Sequence, residues 1–161
     1  MEFESLFRRV YPSLLRYLNR LTGDSDAAED AAQEAFVRLL DRSMDEEGAR
    51  LWLFTVATNL VRDAGRKTAR RERILSTVPV EPTPLPRPDE VAERSATVDA
   101  VRRALEQLAP RDREILLMRE EGFGYAEIAR AVGVAPGSVG TLLARALKRF
   151  GEVYRHSGGE A

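Results

Sequence analysis

No cysteine occurs in this 161-residue chain, which excludes disulfide frameworks, thiolate zinc sites and thiol nucleophiles together. Histidine occurs once, as His156, in a Gly-containing terminus (HSGGEA) that reads as a frayed, solvent-exposed end. No window is long and apolar enough to span a bilayer, and the start MEFESLFRRV lacks the layout of a signal peptide. A cytoplasmic protein that makes no use of a membrane is expected. Strand-like alternation and internal repeats are missing as well, so the fold class is all-α. No nucleophile stands beside a base and no Gly-rich loop could cradle a phosphate, so neither an enzyme nor a bound cofactor is expected.

Net charge is nearly absent too, at −1, but its distribution is uneven. Residues 24–47 are acidic and residues 62–73 are basic. Such segregation implies two faces with different partners. Five of the eight prolines fall close together, at Pro79, Pro82, Pro84, Pro86 and Pro88. Alternating prolines remove backbone donors and favour extended chain, so this stretch is a semi-rigid linker. The layout is an N-terminal helical domain over 1–76, an acidic Pro-rich linker over 77–95, a second helical domain over 96–155 and a disordered tail over 156–161.

In the first domain Phe3, Leu6, Phe7, Val10, Leu14, Leu18 and Leu21 recur at helical spacing up to Gly23, with Pro12 implying a break or kink. Asp26 and Glu29 form a capping-box-like start for a second helix. Ala28, Ala32, Ala35, Phe36 and Leu39 make its apolar stripe, while Glu29, Asp30, Gln33 and Glu34 lie toward the other side. An acidic loop over 43–48 leads to a long helix from Ala49 to about Arg73, with Leu53, Val56, Ala57, Leu60 and Ala64 inward.

The sharpest local signal is YAEIARAVGVAPGSVGTLLARALKRF, residues 125–150. Ala129 is small enough for two helices to cross, Gly133 tolerates a left-handed turn, and Val139 packs the second helix back onto the first. Pro136 suits that helix's first turn. Arg145, Lys148 and Arg149 follow where phosphates would lie in a helix-turn-helix reader of DNA.

Two further constellations invite a chemical reading. The carboxylates Glu29, Asp30 and Glu34 would need histidines at helical spacing to hold metals, and none is available. With Gln33, Phe36 and Leu39 beside them, they read better as a protein-binding face. The basic helix over 65–73 continues one that presents Trp52, Thr55, Asn59, Arg62 and Asp63. A ring, an amide and cations together suit melted or single-stranded DNA. A plain helix-turn-helix regulator and a charged interaction scaffold are the rival readings.

DAAEDAAQEAFVRLL, RLWLFTVATNLVRDAGRKTARR, the linker and LEQLAPRDREILLMREEGFGYAEIARAVGVAPGSVGTLLARALKRF, in that order, resemble a bacterial extracytoplasmic-function (ECF) sigma factor of the sigma-70 family. The resemblance covers residues 3–150 and implies two domains, regions 2 and 4. It implies a factor that binds core RNA polymerase, directs it to promoters and helps melt the minus-ten region. Asp30, Gln33, Glu34, Phe36 and Leu39 match the subregion that docks on the polymerase beta-prime clamp helices. Trp52, Asn59, Arg62, Asp63, Arg66 and Lys67, with Arg70 beyond them, match the helix that reads and melts the minus-ten element. The loop over 45–48 lies where the family holds a flipped-out promoter base. Region 4 is implied to grip the beta-flap tip and to read the minus-thirty-five element. Here the sequence departs from the family, having Gly140, Thr141 and Leu142 where a Lys–Ser–Arg-like triplet is usual. The base-reading positions are then Pro136, Ser138 and Thr141, with Arg145, Lys148 and Arg149 behind them. The resemblance leaves open an anti-sigma factor as a further partner, and the linker as either an active element or a tether.

Overall fold

The computed structural model describes residues 2–74 and 92–156, the side chains of residues 92–95 apart. The linker reading falls mostly outside these residues, as does the tail beyond His156. Seven α-helices occupy the described residues, in order α1 (Phe3–Thr22), α2 (Ser25–Leu39), α3 (Glu46–Ile74), α4 (Ala92–Glu106), α5 (Pro110–Glu120), α6 (Tyr125–Val132) and α7 (Val139–His156). Helix α4 already begins at Ala92, within the span read as linker, and His156 closes α7 rather than opening a tail.

Helix α1 runs unbroken through Pro12. The carbonyl that loses its partner there is four residues back, on Arg8, whose side of the helix is exposed and open to water. Burial of Leu6, Val10, Leu14, Tyr17, Leu18 and Leu21 on the opposite side holds both halves in line. Gly23 takes φ 68° and ends α1, its N–H bonding Asn19 O. The cap of α2 lies two residues before the expected Asp26. The Asp24 carboxylate accepts from the N–H groups of Asp26 and Ala27.

Helix α3 starts earlier than the sequence implied, taking Gly48 into its first turn. Asp45 Oδ1 accepts the Gly48 N–H at 2.7 Å, and a Cβ on residue 48 would stand only 2.7 Å from that oxygen. Glycine is thus what lets the capping carboxylate sit so close. Farther along, the Thr58 hydroxyl donates to Phe54 O at 2.7 Å and accepts from buried Tyr17 at 2.8 Å. Burial holds the Tyr17 phenol well above its ordinary pKa, so it stays a donor.

Helices α1, α2 and α3 pack together, as do α4 to α7, and α1 and α3 also pack on α5 and α6. One hydrophobic core therefore runs through both groups. Half-buried Arg113 donates to the carbonyls of Leu105, Glu106 and Leu108 at the end of α4 and to Leu21 O of α1. In the helix-turn-helix, Ile128, Ala129 and Val139 are buried and Gly133 takes φ 77°, as the spacing requires. Pro136 opens a 3-10 turn, Pro136–Ser138, that runs directly into α7.

Gly140 has no positive φ, and a Cβ there would meet Tyr125 Cε2 at an ordinary 3.5 Å. Its glycine is a conformational cost without a steric need. Gly140→Ala should stabilise the chain by up to about 1 kcal/mol in urea unfolding; a loss of stability would show that the α6–α7 crossing has no room for a methyl group.

Candidate polymerase and promoter interfaces

On α2 the sequence-derived set divides. Asp30, Gln33 and Glu34 are exposed, and Glu34 pairs with Arg38 at 3.0 Å one turn on. Phe36 and Leu39 face inward, at 3% and 1% exposure. Phe36 lies against Phe3, Phe7 and Tyr11 in an aromatic cluster, with ring centroids 4.9–6.0 Å apart. That packing fixes α2 on α1, so both residues position the acidic face. The apolar surface beside it comes from Val37 and Leu40, 57% and 62% exposed, which the sequence reading passed over. Their signal was present: large apolar residues off the stripe that ends α2.

The α3 set also divides, by depth. Trp52 is half-buried against the core, with the Arg42 guanidinium 5.2 Å from its ring centroid. Together with Arg38, Asp41, Ser43, Met44 and Val56 they line an open pocket beside the loop before α3. Asn59, Asp63, Arg66, Lys67 and Arg70 are exposed along the outer half of the helix. Asn59 Oδ1 accepts from Arg62 at 3.3 Å, and Arg66 lies 3.5 Å from Asp63. Arg62 is only partly exposed. Its guanidinium grips the buried carboxylate of Glu114 on α5, Nε to Oε2 being 2.8 Å and Nη2 bonding Oε1. That pairing raises the Arg62 pKa above its ordinary value.

Around α7, Pro136, Ser138, Thr141, Arg145, Lys148 and Arg149 are all exposed. Arg149 shares a concavity with Arg103, Glu106 and Glu152, beside α4. Arg145 is committed within the fold: it bonds Asp112 at the start of α5 through both oxygens, at 2.7 and 3.1 Å. Asp112 is buried, so Arg145 helps fix how α7 lies on α5. Leu142 is partly buried and packs against the core.

Arg145 and Lys148 should therefore separate experimentally. Arg145→Ala leaves a buried carboxylate without its partner and should lower the thermal midpoint, whereas Lys148→Ala should leave it unchanged. Equal midpoints for both variants would show that the Asp112 pairing does not support the fold.

No helix among the described residues is long and apolar enough to cross a membrane. Residues 6–71 match the family described as Sigma-70 region 2, and residues 99–150 match Sigma-70, region 4. The ECF RNA polymerase sigma factor SigL of Mycobacterium tuberculosis (strain ATCC 25618 / H37Rv) is 34% identical over 156 residues, covering 89% of this chain and 86% of that relative. The RNA polymerase sigma factor CarQ of Myxococcus xanthus is 31% identical over 163 residues, covering 94% and 88%. Among solved structures, the sigma factor RpoE in complex with the anti-sigma factor NepR, from Bartonella quintana, superposes with a TM-score of 0.73. It covers 95% of this chain and 96% of that one at 22% identity, a likeness of fold. With both halves matched in order, each on its own helical group, the chain belongs to the sigma-70 family as an ECF RNA polymerase sigma factor.

Proposed function

We propose that this sigma factor docks on the beta-prime clamp helices through Asp30, Gln33 and Glu34, joined by the exposed side chains of Val37 and Leu40. The outer half of α3 then takes the melted minus-ten strand, and α7 reads the minus-thirty-five element. The observation that carries this reading is the contrast between two neighbouring surfaces. The outer face of α2 is acidic, while α3 from Asp63 onward is exposed and rich in Arg and Lys. One fits a basic protein helix and the other a polyanion. Trp52 and Asn59 add a ring for stacking and an amide for base edges, at the inner end of the basic stretch. Region 4 also grips the beta flap in this reading, through its first helices.

The domains are taken as 1–76 and 96–155, joined by the Pro-rich segment. The protein works in the cytoplasm by binding and positioning rather than by catalysis. An anti-sigma factor is proposed as a further partner, by likeness to the RpoE complex with NepR.

The double variant Asp30→Lys/Glu34→Lys should lose holoenzyme formation in a pull-down with core polymerase while keeping its helical circular-dichroism signal. Unchanged polymerase affinity would remove α2 from the interface. On the DNA side, Arg66→Ala should weaken promoter binding by a similar factor at every sequence and flatten its salt dependence, while Asn59→Ala should change base preference. Intact open-complex formation in both variants would refute the minus-ten assignment.

A further inference from the structure

The loop between α2 and α3 carries an oxidisable side chain that takes no part in the proposed polymerase and promoter surfaces. The chain has three methionines. Met118 is fully buried, at 0% exposure, and Met1 lies outside the described residues. Met44 differs from Met118 in its surroundings. It is half-buried against the core and shares the wall of an open pocket of about 690 Å³ with Arg38, Arg42, Trp52 and Val56. A small oxidant can therefore reach the Met44 thioether without any unfolding, whereas Met118 is sealed.

The loop has little slack to absorb a change at this position. On one side the Arg42 N–H donates to Leu39 O at 2.9 Å. On the other, Asp45 accepts the Gly48 N–H at 2.7 Å and Glu46 pairs with Arg9. Only Ser43 and Met44 lie between these anchors. Next to them the Arg42 guanidinium covers the Trp52 ring, 5.2 Å from its centroid. A thioether sulfur is a weak acceptor, but a sulfoxide oxygen is polar and accepts strongly. In a wall shared with two guanidinium groups, it competes for their N–H donors. A charge-assisted hydrogen bond holds such a group better than a ring face does.

We propose that Met44 is an oxidation site through which a peroxide alters the Trp52 face of α3. The sulfur lone pair attacks one oxygen of hydrogen peroxide, and the S–O bond forms as the O–O bond breaks. Sulfur gives up two electrons and the peroxide is reduced. The departing hydroxide takes the proton left on the transferred oxygen and leaves as water. The sulfoxide then draws Arg42 away from the Trp52 ring and weakens the grip on a melted strand. That last step rests on the assignment of Trp52 to the minus-ten strand; the oxidation and the displacement of Arg42 do not.

Trp52 is the chain's single tryptophan, so its fluorescence reports directly on this pocket. The full chain is treated with hydrogen peroxide and followed by peptide mass mapping and by Trp52 emission. It is then freed of peroxide, assembled with core polymerase and titrated with a single-stranded minus-ten oligonucleotide. The peptide holding Met44 should gain one oxygen well before the peptide holding Met118, and Trp52 emission should change in step with it. Oligonucleotide binding should fall several-fold, and methionine sulfoxide reductase should restore both signals. Met44→Leu, which keeps an apolar wall without the sulfur, should show the same emission and affinity before and after peroxide. Met44→Gln, with a carbonyl oxygen in place of the sulfoxide's, should start in the weakened state. Equal oxidation rates at Met44 and Met118, unchanged Trp52 emission in the oxidised chain, or a peroxide response that persists in Met44→Leu would overturn the site. Changed emission with unchanged oligonucleotide affinity would overturn its link to promoter binding. Trp52→Ala, measured alongside, separates the two readings: if it binds the oligonucleotide as tightly as the unaltered chain, the strand does not use this face, and the assignment of Trp52 falls while the oxidation of Met44 stands.

Discussion

Helix α3 has to be a core element over one half and an exposed basic rod over the other. Leu53, Phe54, Ala57 and Thr58 are fully buried, while every residue from Asp63 onward is exposed. The inner half gives α1 and α2 a common surface to pack on, and its Phe54 ring also meets the second group. The rotation of the helix is then fixed by its fully buried face, which carries the Tyr17–Thr58 hydrogen bond. Because each residue turns the helix by about 100°, that packing decides which way Asn59, Arg62 and Arg66 face.

Much of this was legible in the sequence because it is local. Apolar spacing along 3–21 and 28–39 marks the first two helices. The Ala129, Gly133 and Val139 pattern marks the helix-turn-helix, since each residue there answers a steric demand within a few positions of itself. Capping was less legible. Asp24, Asp26 and Asp45 are all suitable caps by type, and only the backbone path selects Asp24 and Asp45.

The site residues were harder for a different reason. Phe36 and Leu39 lie on the apolar stripe of α2 as well as in the stretch proposed to meet the polymerase, and in the fold both are buried, Phe36 in the aromatic cluster with α1. Arg62 and Arg145 read as free cations because their partners lie 52 and 33 positions away. No window of sequence connects an arginine to a carboxylate at that distance. Only the packing of α3 and α7 on α5 brings them together, and the same packing makes the neighbouring pair Asp112 and Glu114 face two different helices.

The pairing of Asp112 with Arg145 bears on the proposed reading of DNA by α7. A helix tied through both oxygens of one carboxylate to α5 is preorganised: its pose is set during folding, before any nucleic acid arrives. Little rotational search is then left for the encounter with a duplex, and less of the association energy is consumed in ordering the reader. Such a surface can discriminate between sequences with few cations, because rigidity supplies selectivity that added charge alone would not.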